Sequence, residues 1–182
     1  MPVYVALLRG INLGPHKRMH MERLRESFSA AGCEQVQTYI QSGNVVFATP
    51  RVAPAALCQK LEERILRDFG FPAPVVARTR EEMTKVMKKN PFLKKPGADG
   101  AKLHVIFLAQ PPAAEALQAL QGLTTLPDES RCMGREIYLY LPNGMGKSSL
   151  MNNAVERRWL KGATTRNWNT VTKLYEMCES CQ

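Results

Sequence analysis

The chain has 182 residues, 45% of them hydrophobic, and carries 25 Lys and Arg against 16 Asp and Glu for a net charge of +9. That length suits one domain or two of about 80–100 residues each, and the apolar content excludes a disordered chain. No apolar run approaches the ~18–20 residues of a membrane span, and the positive field favours anionic partners without dictating a fold.

VYVALLR (3–9) is a short, almost wholly apolar run of the kind buried on both faces of a sheet. The opening MPVYVALLRGINLG lacks the charged start and long apolar core of a signal peptide, so it reads as a first strand. Met21, Leu24, Phe28 and Ala31 share one helical face, which Gly32 ends. QVQTYI (35–40) and VVFA (45–48) flank QSGN as a hairpin, with Gly43 and Asn44 tolerating positive φ. Leu57, Leu61, Ile65 and Phe69 form the stripe of a second helix that opens at Pro54 and closes at Gly70. PVVART (74–79) completes a βαββαβ order, the ferredoxin-like unit.

Thr79 and Glu82 have the spacing of a capping box, and Asn90-Pro91 stops the helix they begin. KKNPFLKKPGADGAK (88–102) then reads as a mobile, Lys-rich connection. The second half repeats the order: LHVIFLA (103–109), a helix after Pro111 and Pro112, a hairpin from SRCM and EIYLYL around Gly134-Arg135, a helix over 147–162, and a closing strand ATT (163–165). A last helix puts Trp168, Val171, Leu174, Tyr175 and Cys178 on one face. The expected class is α+β. Two ferredoxin-like βαββαβ subdomains stand in tandem, 1–79 and 102–182, with a linker over 80–101 and an extra C-terminal helix.

Three strings in this order, ALLRGINLG, TYIQSGNVVF and ATTRNWNTVTKL, resemble the bacterial domain-of-unknown-function 1697 family over nearly the whole chain. The resemblance implies an α+β fold of two subdomains in a cytoplasmic protein. It brings no established activity, substrate or catalytic residue.

Topology gathers unusual polar residues at strand ends. In the first half, RGIN and QSGN bring Arg9, Asn12, Gln41, Ser42 and Asn44 to one edge of the sheet, a set suited to an anion or a planar polar ligand. In the second, LPNGMGKSS (141–149) and TTRNWN (164–169) each lead into a helix N-terminus, with Lys147, Ser148, Arg166 and Asn167 as candidate anion-binding residues. Thr165 or Asn167 is the expected N-cap, and Trp168 the anchor of the last helix. GMGKSS is not a nucleotide P-loop. Leu141 stands where the motif needs its first Gly, and Pro142 removes a donor.

No metal-ligating spacing or paired carboxylate appears, and no metal or cofactor is expected. Ser42, Ser148 and Cys33 are the only nucleophiles worth naming, with His16 and His20 as nearby bases, and nothing selects a catalytic residue among them. Five irregularly spaced cysteines argue for a reducing cytoplasm. Cys178 and Cys181 read as a helix end with one thiol inward and one exposed. Tyr4, Phe47, Phe107, Tyr138 and Tyr140 lie on strands but lack the basic, ring-rich pattern of an RNA-recognition sheet.

The expected function is binding of a phosphate-bearing ligand, nucleic acid or phosphorylated small molecule, through strand-end loops and helix N-termini. Two alternatives stand beside it. One is an enzyme acting on a small phosphorylated or nucleotide substrate in a cleft between the subdomains. The other is a non-catalytic protein-interaction module.

Overall fold

The computed structural model describes residues 1–154 and 162–181. The chain divides into two compact units. Met1–Lys85 with Lys173–Gln182 forms the first, and Val86–Thr172 the second.

In the first unit, β1 (Val3–Leu8), β2 (Glu34–Tyr39), β3 (Asn44–Ala48) and β4 (Val75–Thr79) form an antiparallel sheet in the order β2-β3-β1-β4. Helices α1 (Met21–Ala30) and α2 (Pro54–Phe69) cover one face. Their stripes fall where the spacing puts them: Met21, Leu24 and Phe28 from α1 and Leu57, Leu61 and Ile65 from α2 meet Tyr4, Ala6, Leu8, Val45 and Phe47 in one core. Alternate β1 residues Val3, Val5 and Leu7 are buried too, which explains the unbroken apolar run.

The second unit repeats the plan. Strands β5 (Leu103–Phe107), β6 (Glu129–Met133), β7 (Glu136–Tyr140) and β8 (Thr164–Asn167) take the order β6-β7-β5-β8. Helices α4 (Ala114–Leu123) and α5 (Ser149–Ala154) supply Leu120, Leu150 and Met151 to a core with Ile106, Ile137 and Leu139. The helix expected over 147–162 is described only as α5. Val155, Trp159, Arg157, Arg158 and Lys161 lie outside the described residues.

The register makes the repeat more precise than element order alone. Tyr4 faces Thr79 and Val5 faces Arg78 across β1 and β4, while His104 faces Asn167 and Val105 faces Arg166 across β5 and β8. Each closing strand thus carries an arginine at the same place, and both are buried. The Nη1 of Arg78 donates to the carbonyl of Ala77, and that of Arg166 to the carbonyl of Thr165, both at 2.9 Å. In each half the next residue caps the following helix. Thr79 and Glu82 exchange hydrogen bonds at the start of α3 (Arg80–Lys89), and the Thr170 N–H donates to Asn167 Oδ1 at the start of α6 (Trp168–Ser180). The repeated unit is therefore βαββαβ plus a helix.

Two expectations need correction. The Lys-rich connection is folded. Phe92 is buried against Tyr140, Lys95 pairs with Glu129 and lies 5.0 Å over the Tyr140 ring, and Asp99 accepts the N–H groups of Ala101 and Lys102. One aromatic anchor and one ion pair outweigh the linker-like composition. Cys178 and Cys181 are both buried, rather than one inward and one exposed. The carbonyl of Cys181 accepts from Arg80 and its thiol donates to Gln35, so the helix end is tied down within the first unit. Burial pushes the Cys178 thiol up to about 12, which makes it an inert packing group.

Candidate functional site

At one end of the first sheet, residues 9–20 run from β1 into α1. The turn is closed by one side chain. Asn12 Nδ2 donates to the carbonyls of Met19 at 3.0 Å and Gln41 at 2.7 Å, while its Oδ1 accepts the Met19 N–H at 2.8 Å. Its own N–H donates to the carbonyl of Lys17. Asn12 adopts φ 54°, a left-handed conformation that Asn tolerates better than most residues.

The same clasp joins the loop to the β2–β3 hairpin. The Leu8 N–H donates to the carbonyl of Gly43 at 2.8 Å, and Gly43 (φ +75°) sits so close that a Cβ there would lie 2.7 Å from Leu8 Cβ. Asn44 is fully buried, and its Nδ2 donates to the carbonyl of Tyr39 and to Ser42 Oγ. Arg9, half-buried, gives its N–H to the carbonyl of Pro74. The five candidates of the first half therefore gather at one sheet edge. The amides of Asn12 and Asn44 are engaged in holding backbone there.

What this scaffold displays is basic. Residues 9–20 contain Arg9, Lys17 and Arg18, two histidines and no acid. His16, Lys17, Arg18 and His20 are all exposed. The loop ends at α1, whose N-cap residue His20 makes no side-chain capping bond, so the first-turn N–H groups and the helix dipole face the same region. Glu22 is the one acidic side chain in that turn. Arg23 and Arg25 are otherwise engaged: Arg23 donates to the carbonyl of Asp68 and stacks over Phe69, and Arg25 donates to Thr38 Oγ1. Lys17 and Arg18 escaped the sequence reading because charge alone does not distinguish a displayed cation from a solvated one. The clasp by Asn12 does.

The second half is different. Ser148 is buried. Its Oγ donates to Asp128 Oδ2 at 2.6 Å and accepts the Met151 N–H, capping α5. Asp128 precedes β6, whereas Asn167 ends β8, at the far side of the sheet order β6-β7-β5-β8. Ser148 is thus held on the β6 side of the sheet, away from Asn167, although the ends of β7 and β8 flank the start of β5 at the same end of the sheet. Backbone donors of that loop are used internally, with the N–H groups of Gly144, Lys147 and Ser148 bonded to the carbonyls of Leu141, Gly144 and Met145.

In TTRNWN, Arg166 lies in the sheet with its Nη1 on Thr164 Oγ1 at 2.6 Å, and burial lowers its pKa to about 10. Asn167 caps α6, Trp168 is buried, and Asn169 packs so tightly on Gly100 that a Cβ there would meet its Oδ1 at 1.8 Å. Asp128 was not foreseen, and a turn sequence such as LPDES carries no signal of a buried carboxylate.

Other chemistry finds little support. Tyr4, Phe47, Phe107, Tyr138 and Tyr140 are buried, so these rings form no stacking platform. Among the described residues no three His, Cys, Asp or Glu side chains come together as a metal site, and no helix is long and apolar enough to cross a membrane.

The model of the family described as protein of unknown function (DUF1697) matches residues 1–138, and the chain belongs to that family. A solved structure, that of the conserved bacterial protein SP0830 from Streptococcus pneumoniae, is similar at a TM-score of 0.80 and 22% identity, covering 97% of this chain and 98% of that one. At that identity the likeness speaks for the fold alone. No curated protein matches.

Proposed function

We propose that this member of the DUF1697 family binds a phosphate-bearing ligand, nucleic acid or nucleotide, through the loop of residues 9–20 and the N-terminus of α1. The observation that carries the reading is the Asn12 clasp. One part-buried amide makes three hydrogen bonds to fix a loop that leaves Lys17 and Arg18 exposed. A preformed cationic turn beside an uncapped helix start lowers the ordering cost of binding an anion and supplies both charge and N–H donors. Ser148, Arg166 and Asn167 have structural partners, and Lys147 is exposed in a loop whose N–H groups are bonded internally; these four are left out of this reading, and Arg9, Asn12, Gln41, Ser42 and Asn44 remain as its frame.

The test is anisotropy of a labelled single-stranded oligonucleotide against salt, with ATP as competitor. Two cations on phosphates, Lys17 and Arg18, give a slope of log K against log salt of roughly −1.4, from about 0.7 per contact on a single strand. Competition by ATP at equal phosphate concentration identifies a nucleotide site. Weak competition identifies an extended nucleic-acid track. No binding of either at low salt removes the proposal.

A further inference from the structure

The first unit holds a second candidate site at the other end of its sheet. A cavity of about 350 Å³ opens where the end of α1, the segment after β3 and the first turns of α2 meet. Its walls include Ala31, Leu57 and Leu61, all buried. Two cations, Arg51 and Lys60, line it, and no carboxylate does. The Lys60 ammonium is placed by Gly32: it lies 3.8 Å from where a Cβ on that glycine would be, so it overhangs the turn that ends α1. Nearby, α2 begins at Pro54 without a side-chain cap on its first-turn N–H groups.

We infer that this cavity takes a small anion with an apolar body, of the class of a medium-chain carboxylate. Apolar walls reward burial of a chain, and a lining with two positive charges and no negative one rewards a single anionic head. Size sets the limit. At about 30 Å³ per water-sized group, the space accommodates roughly a dozen heavy atoms, at the lower end of ligand pockets. The Cys33 thiol lies in the lining, and burial raises it to about 11 while Lys60 opposes the shift. It is therefore protonated at neutral pH and serves as a soft wall atom rather than a nucleophile. The inference is independent of the loop reading, because the two sites share no residue.

The probe is a series of straight-chain carboxylates from butanoate to dodecanoate, added to the full chain up to about 10 mM and followed by ¹H–¹⁵N correlation spectra. Expected are saturable shifts centred on Ala31, Gly32, Leu57 and Leu61. Affinity should rise about four-fold per added methylene until the chain fills the cavity near octanoate, then level off. Lys60→Ala should weaken octanoate about five-fold. Val52→Trp, at an exposed lining position, should block it with the fold intact. Lys17→Ala/Arg18→Ala should leave it unchanged. Any of three results overturns the inference: no saturable shift at these residues, affinity that keeps climbing through dodecanoate, or octylamine binding as tightly as octanoate.

Discussion

The loop of residues 9–20 and the string TTRNWN look alike in sequence: each is a polar, Arg-bearing segment between a strand and a helix. They are built for different ends. In TTRNWN the prominent side chains have structural partners: Arg166 on Thr164 and Thr165, Asn167 on the Thr170 N–H and Trp168 buried, while the exposed Asn169 lies against Gly100. The first half carries the same device at Arg78 and Thr79. A feature that recurs at the same register in both halves belongs to the repeat itself. The loop of residues 9–20 has no such internal use for Lys17 and Arg18. Asn12, with Ile11 and Met19 in the core, makes the structural contacts, and Lys17 and Arg18 are exposed.

That contrast gives ordered predictions. Trp168→Ala removes a large buried side chain, and should cost about 3–5 kcal/mol of stability in a denaturant titration while leaving oligonucleotide affinity unchanged. A pair of asparagine changes sharpens the comparison. Asn167→Ala should cost about 1 kcal/mol, the worth of a helix cap, with no effect on binding. Asn12→Ala should cost about 1–2 kcal/mol and also weaken binding, because the loop loses its closure. If both changes affect binding equally, the two regions are not functionally distinct.

A smaller effect concerns pH. Burial lowers His104 below its ordinary 6.5, with a hydrogen bond to the Lys102 backbone working the other way. A depressed histidine means that the unfolded chain binds the proton more readily. Its contribution to stability is thus present above about pH 6.5 and is lost as pH falls through the folded value. Melting temperature should drop on going from about pH 7 to 5, and His104→Leu should flatten that part of the curve. An unchanged curve would show that His104 charges freely.

Much of the fold was legible in the sequence because it rests on local signals. Apolar periodicity, Pro at helix starts, Gly at turns and the Thr79–Glu82 box each need only a few neighbouring residues. The site was legible in part. Topology placed Arg9, Asn12 and Asn44 at one edge, but the partners of Asn12 lie seven and 29 residues away, and no local pattern announces them. Arg166 misled because a buried strand arginine has the same letter as a displayed one. Its twin Arg78, in a run of apolar residues, attracted no notice for the same reason. The folded Lys-rich connection was missed because a single anchored aromatic, Phe92, outweighs its composition.

The most direct measurement is the salt dependence of single-stranded oligonucleotide binding in wild type and in the Lys17→Ala/Arg18→Ala double variant. Those exposed positions should change stability by no more than about 0.5 kcal/mol. Losing two phosphate contacts should make the log–log slope shallower by about 1.4. A double variant with the wild-type slope and affinity would contradict the assignment of anion binding to this loop.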